Sequence, residues 1–225
     1  MSDLERLSVV IENGHIWEVR GLTQRLLEGG HLPEEIVRKG FMPGLLETGR
    51  KFEEQKIFIP EMLLAARTVK LGCETIRTWL GDPKPTGRKI VLGVVAEDLH
   101  DIGKNLVSIA MTSAGIPVVD LGVDVSPEQF VQAVEADPSV ALVGISALLT
   151  TTLGAMRETV QALHRCSAAG RIKILVGGAP VTEAFAREIG ADLYTNNAFA
   201  AAAAARAMLD AESVPEAEDL RLECI

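Results

Sequence analysis

The sequence predicts an α/β protein: a four-helix bundle at the N-terminus, then a doubly wound, five-stranded parallel sheet of the Rossmann-like (flavodoxin-like) kind. Three observations carry that prediction. From Asp3 to Leu80 apolar residues recur at helical spacing, as in Val37, Phe41, Leu45 and Phe52. From Lys89 onward, short and nearly continuous apolar runs alternate with helical stretches, the pattern of parallel strands covered on both faces. Between the two halves lies Gly81-Asp82-Pro83-Lys84-Pro85-Thr86-Gly87, rich in proline and glycine and almost free of apolar residues, which is linker composition. The expected units are therefore a helical bundle over residues 1–80, a linker over 81–88, an α/β unit over 89–211 and an acidic, weakly patterned tail over 212–225.

In the bundle, Ser2-Asp3-Leu4-Glu5 has the form of a capping box, and Gly14, Gly29-Gly30, Pro33 and Pro60 punctuate the helices. Trp17 and Trp79 are expected to anchor helix packing. In the α/β unit the expected strands are Lys89 to Val95, Pro117 to Leu121, Ala141 to Ser146, Ile172 to Val176 and a weaker Asp192 to Tyr194. The intervening helices are Gly103 to Ala114, Pro127 to Ala136, Thr152 to Ala168, Thr182 to Ile189 and Phe199 to Leu209. Ser126-Pro127-Glu128-Gln129 supplies a capping box and a proline in the first helical turn. Met111 and Met156 read as core filler.

Composition excludes several classes of function. A formal net charge of -9 repels phosphate backbones and anionic lipid, so neither nucleic acid nor a membrane surface is an expected partner. No apolar run reaches the roughly 18 residues of a membrane span. The start has no basic leader followed by an apolar stretch, and Cys73, Cys166 and Cys224 form no C-x-x-C pair; a reducing, cytoplasmic setting is expected.

In a doubly wound sheet, ligands sit beyond the carboxyl ends of the strands. Three segments occupy such places: Asp98-Leu99-His100-Asp101-Ile102-Gly103 after the first strand, Ser146-Ala147-Leu148 at the third, and Gly177-Gly178 after the fourth. Asp98, His100 and Gly103 match the cobalamin motif Asp-x-His-x-x-Gly, and the other two segments match its companion motifs in order. Over about residues 3 to 210 the chain resembles the corrinoid proteins of three-component methyltransferase systems. It also resembles the corresponding cap and cobalamin modules of cobalamin-dependent methionine synthase.

That resemblance implies a cobalamin or related corrinoid, as methylcobalamin and cob(I)alamin, with His100 as the lower axial ligand of cobalt. A neutral imidazole is a good nitrogen donor for such a metal. Asp98 is expected to accept the other ring N–H and fix the tautomer, and Ser146 to hydrogen-bond Asp98 in turn. The cofactor's nucleotide tail threads into the sheet domain, where Gly103, Gly177 and Gly178 present backbone without side chains. Leu99, Asp101 and Ile102 of the loop, with Leu148 and Thr150 after the third strand, are further cofactor candidates. Thr151 reads as the cap of the following helix. Phe52 and Ile59 match the positions whose apolar side chains shield the upper face of the corrin. His15, His31 and His164 read as ordinary solvent-facing polar residues.

Two departures from the family pattern stand out. Ala96-Glu97 replaces the usual glutamate and glycine before Asp98, and Asn196-Asn197 replaces an aspartate after the fifth strand. The first bears on the loop conformation; the second removes a negative charge near the cofactor rim.

The implied function is methyl carriage. A substrate-specific methyltransferase methylates Co(I), and an acceptor methyltransferase takes the methyl group from methyl-Co(III) to tetrahydrofolate or a thiol, with a reductive activase as a third partner. A cobalamin-dependent regulator and an adenosylcobalamin mutase subunit, which carries the same histidine loop, are the alternatives.

Overall fold

The computed structural model describes residues 1–81 and 87–211. The expected linker's positions 82–86 and the acidic tail over 212–225 lie outside the described residues. The N-terminal half contains α1 (Asp3–Glu12) and α2 (Ile16–Glu28). A third rod follows, formed by α3 (Pro33–Ile36), a π-helical turn (Val37–Phe41) and α4 (Met42–Glu53). The long α5 (Ile59–Leu80) completes the four-helix arrangement. Ser2 and Glu5 close the expected capping box on α1, with the Ser2 N–H donating to Glu5 Oε2 at 2.7 Å.

The bundle core is built from Leu7, Ile11, Val19, Leu22, Ile36, Phe41 and Ile76, all essentially without solvent contact. Phe41 explains why α5 carries Gly72: a Cβ there would lie 2.4 Å from the Phe41 ring. The two tryptophans do not behave as expected. Trp17 is 89% exposed and Trp79 50% exposed, because aliphatic side chains and Phe41 already fill the space between the helices, leaving the indoles on the outside.

The second half comprises β1 (Lys89–Val94), α6 (Ile102–Ser113), β2 (Val118–Asp120), α7 (Pro127–Ala136) and β3 (Val140–Ser146). It continues with α8 (Leu153–Arg165), β4 (Lys173–Gly177), α9 (Glu183–Ile189), β5 (Leu193–Tyr194) and α10 (Ala198–Ala211). All pairings are parallel, in the order β2-β1-β3-β4-β5. The chain reverses its winding between β1 and β3, so the loops leaving those strands diverge and open a crevice.

Side-chain alternation divides the sheet between two cores. Val91, Val143, Ile145, Ile174 and Val176 pack with Phe130, Met156, Val160 and Leu163 of α7 and α8. Ile90, Leu92, Leu142 and Leu175 pack with Met111 of α6 and Ala201, Ala202 and Ala205 of α10. Met111 and Met156 are both fully buried, as expected of core filler. Helix α6 is shared: its Leu106 and Ile109 turn away from the sheet into the bundle core. The bundle is thereby seated on α6, directly beside the loop between β1 and α6.

Phe41→Ala, which empties the ring's place between the third rod and α5, is expected to lower unfolding free energy by about 3–5 kcal/mol. Urea denaturation of mutant and parent protein measures this directly.

Candidate functional site

The loop after β1 is organised by one carboxylate. Asp98 has no solvent contact. Its Oδ1 accepts from the His100 backbone N–H at 3.1 Å and lies 2.7 Å from His100 Nδ1. Its Oδ2 accepts from the N–H groups of Leu148 and Leu149, at 2.7 and 3.3 Å, and from Thr152 Oγ1 at 3.1 Å. Burial pushes this carboxyl up, but the hydrogen bonds from Leu148, His100 and Thr152 outweigh it and hold the group down at about 2. An ionised carboxylate only accepts, so Nδ1 carries a proton toward it, and in the neutral tautomer that this selects the lone pair is on Nε2. The His100 side chain is half exposed.

The backbone ahead of Asp98 accounts for the first departure. Glu97 lies at φ 67° and Asp124 at φ 54°, a left-handed region that costs a side-chain-bearing residue roughly 1–2 kcal/mol. The loop holds it through two bonds: the Glu97 N–H donates to Asp124 Oδ1 at 2.7 Å, and the Asp124 N–H donates to the Asp98 carbonyl at 3.1 Å. The second departure keeps a structural role, since Asn197 Oδ1 accepts from the N–H groups of Phe199 and Ala200, at 2.9 and 3.3 Å, and so caps α10.

Two expectations are corrected here. Ser146 does not hydrogen-bond Asp98. It ends β3 on the same face as Gly144, and the carboxylate is met instead by the turn that follows, through Leu148, Leu149 and Thr152. Thr151 does not cap α8: Thr152 holds the N-cap position and makes no capping bond, its hydroxyl being turned to Asp98 and the Leu149 carbonyl. Gly178 lines the groove beside Gly177 and carries a further constraint of its own. It lies at φ 126°, and a Cβ would come within 1.8 Å of the Ala147 carbonyl oxygen.

Beneath the loop a cavity of about 400 Å³ runs between the sheet and helices α6 and α10. Leu92, Gly144, Ser146 and Gly177 form its sheet wall, Met111 and Ala201 its helical wall. A Cβ on Gly103, at its mouth, would meet nothing within 4 Å, so the groove has room for a ligand there. The other loop residues divide. Leu99, Leu148 and Leu149 are exposed, giving an apolar rim to the two loops that meet at Asp98. Asp101 instead pairs with Lys70 of α5, and Ile102 packs against the bundle core. Thr150 is exposed on the turn after β3.

The bundle contributes a second exposed apolar group. Phe52, at the end of α4, and Ile59, at the start of α5, are exposed, as are Phe58 (69%) and Leu63 (60%). Ile59, Leu63 and Lys70 fall on one stripe of α5, and Lys70 Nζ is 2.5 Å from Asp101 Oδ2. The stripe therefore starts at the His100 loop and carries Leu63 and Ile59 about 10 and 16 Å further along the helix axis. The remaining histidines are surface residues: His15 lies near Glu18, His31 near Glu35, and His164 bonds the Gly190 carbonyl. Among the described residues, no helix is long and apolar enough to cross a membrane.

A buried acid that orients a half-exposed imidazole, above a deep groove in a doubly wound sheet and beside a helical bundle, defines a cobalamin-binding protein. Comparison with known proteins agrees: B12 binding domain families match residues 88–203 and residues 3–77. The chain is 42% identical over 180 residues to dimethylamine corrinoid protein 3 of Methanosarcina acetivorans, covering 79% of this chain and 83% of that protein. It is 36% identical to trimethylamine corrinoid protein 1 of the same organism over 192 residues, 84% and 88% of the two chains. The solved structure of the Methanosarcina barkeri monomethylamine corrinoid protein superposes with a TM-score of 0.82 at 29% identity, covering 92% of this chain and 98% of that one. The methanol:cobalamin methyltransferase complex MtaBC of that organism matches with a TM-score of 0.52 at 29% identity, over 91% of this chain and 78% of that one. The chain belongs to the B12-binding family, among the corrinoid proteins of methyltransferase systems, and its cofactor is a cobalamin or related corrinoid.

Asp98 gives two testable consequences. Thr152→Val, which leaves one carboxylate oxygen short of a donor, is expected to cost about 1–3 kcal/mol of stability, and Ser146→Ala clearly less; thermal unfolding of the two variants ranks them. Because the Asp98 carboxyl is depressed below its usual 3.8, its stabilisation is complete above that value and is lost as the pH falls through about 2.

Proposed function

We propose that this chain is a methyl carrier in which His100 Nε2 is the lower axial ligand of cobalt. The carrying observation is the pairing of His100 Nδ1 with a buried, ionised Asp98 at 2.7 Å, which leaves the second ring nitrogen as a free donor at an exposed apolar rim. A corrinoid bound there would supply a cobalt able to take up a methyl group and give it back. The chain's residues set the conditions. Asp98 fixes the tautomer and orientation of the imidazole, and its own hydrogen bonds to Leu148, Leu149 and Thr152 prevent it from turning away. Leu99, Leu148 and Leu149 present an apolar floor to the macrocycle. The groove walled by Gly144, Ser146 and Gly177 receives the nucleotide tail.

Phe52 and Ile59, extended by Phe58 and Leu63, cover the opposite face and keep water and oxygen from a strongly reducing metal. This apolar stripe gives the chain its own cofactor cover, which favours a carrier over a mutase subunit. The donor-side partner is a substrate-specific methyltransferase, and the names of the methylamine relatives support a methylated amine as donor. An acceptor methyltransferase, serving tetrahydrofolate or a thiol, and a reductive activase complete the system. Each partner reaches the metal from the bundle side, so the bundle moves aside during turnover.

His100→Ala is expected to weaken corrinoid binding and to abolish protein nitrogen coupling in the Co(II) electron paramagnetic resonance spectrum; a spectrum identical to the parent's would refute the ligand assignment. Phe52→Ala is expected to hasten oxidation of the reduced holoprotein in air-saturated buffer. Equal lifetimes for mutant and parent would contradict a shielding role.

A further inference from the structure

The loop that carries His100 is tied directly to the bundle. Asp101 occupies the N-cap position of α6, where an aspartate ordinarily accepts from backbone N–H groups one turn in. Here it makes no such bond. Its carboxylate is spent on Lys70 of α5 instead, with Nζ 2.5 Å from Oδ2. Asp101 is the next residue after His100, and Ile102, the one after that, packs against the bundle core. The position of the imidazole's backbone is therefore set partly by where α5 lies.

The seam between α5 and α6 is uneven. One part is dry, where Leu106 and Ile109 join Phe41 and Ile76 in the bundle core. Alongside Lys70 and Asp101 it opens into a cavity of about 310 Å³ that also meets Glu74, Arg77, Lys104 and Asp120. Separating Lys70 from Asp101 exposes charges to a polar space that already exists, whereas separating the dry part strips apolar surface. Separating the ion pair therefore costs less than separating the dry part of the seam.

We infer that Lys70 is a positioning residue for the cobalt-ligating loop, acting through Asp101 so that seating of the bundle favours axial ligation by His100 and displacement of the bundle favours its release. The inference rests on the methyl-carrier reading, in which His100 is the ligand. It links the two events a carrier must coordinate: access of a partner to the upper face, and loosening of the lower ligand when cobalt is reduced. A pair of this kind, its lysine half exposed, shifts an equilibrium by about two- to fivefold, enough to bias ligation without locking it.

The test uses Co(II) holoprotein, with the ratio of histidine-on to histidine-off cobalt read from nitrogen coupling in the electron paramagnetic resonance spectrum. Lys70→Met is expected to lower that ratio by about two- to fivefold. Lys70→Arg, which keeps a cation at the position, is expected to restore most of it. Lys70→Met combined with Asp101→Asn should fall no further than either alone, since both remove one interaction. As a measurement independent of the cofactor, amide hydrogen exchange in the cofactor-free protein should quicken over residues 99–103 in Lys70→Met while β1 is unchanged. An unaltered ratio in Lys70→Met, with histidine coupling present in the parent, overturns the latch alone, as does unaltered exchange in the loop. Absence of histidine coupling in the parent overturns the carrier reading and the latch together.

Discussion

The hydrogen bonds converging on the Asp98 carboxylate are the constraint on which the rest of the site depends. An ionised group without solvent contact is tolerable only when its lone pairs are filled. Here the donors come from two strand-end loops that meet at the reversal between β1 and β3: His100 from one side, Leu148, Leu149 and Thr152 from the other. The same bonds that offset burial fix the direction of the imidazole, the tautomer it adopts and the height of the loop above the groove. Only the His100 ring and the Thr152 hydroxyl are side-chain donors; the rest are backbone N–H groups held in place by the two loops.

The sheet supplies this geometry by simple means. Parallel pairing aligns Val94, Ser146 and Gly177 at one level, so the three loops that follow leave from the same edge. Small residues on one face, Gly144 and Gly177 in the strands and the alanines of α10, keep the space between the sheet and its helices from filling completely. The groove is thus a planned shortage of side chains beside a carefully satisfied polar cluster. Helix α6 connects this arrangement to the bundle, because its two faces serve the sheet core and the bundle core at once.

Much of this was legible in the sequence. The strands and helices were readable because their apolar periods differ, and the ends at Ser2, Ser126, Pro33 and Pro60 carry cap or proline chemistry that acts locally. The Asp98 and His100 pair was legible because its members are two residues apart and need only one tight loop to meet. What long-range packing decides was not. Thr152 looks like one of three equivalent threonines until the turn after β3 is folded, when it alone faces the carboxylate. Ser146 carries a plausible hydroxyl but ends a strand, and the two-residue alternation of that strand turns it into the groove. Trp17 and Trp79 read as core because indoles usually bury, yet the bundle is closed without them. Lys70 gave no sequence signal at all, since its partner lies 31 positions away.

The central claim is that a histidine of the protein, and not the cofactor's own benzimidazole, lies beneath cobalt. Holoprotein prepared with nitrogen-15 histidine and unlabelled cofactor, poised as Co(II), tests it most directly. With histidine beneath cobalt, the nitrogen splittings in the electron paramagnetic resonance spectrum change from triplets to doublets on labelling. Triplets that persist unchanged would mean that the benzimidazole remains attached to the metal, and would contradict it.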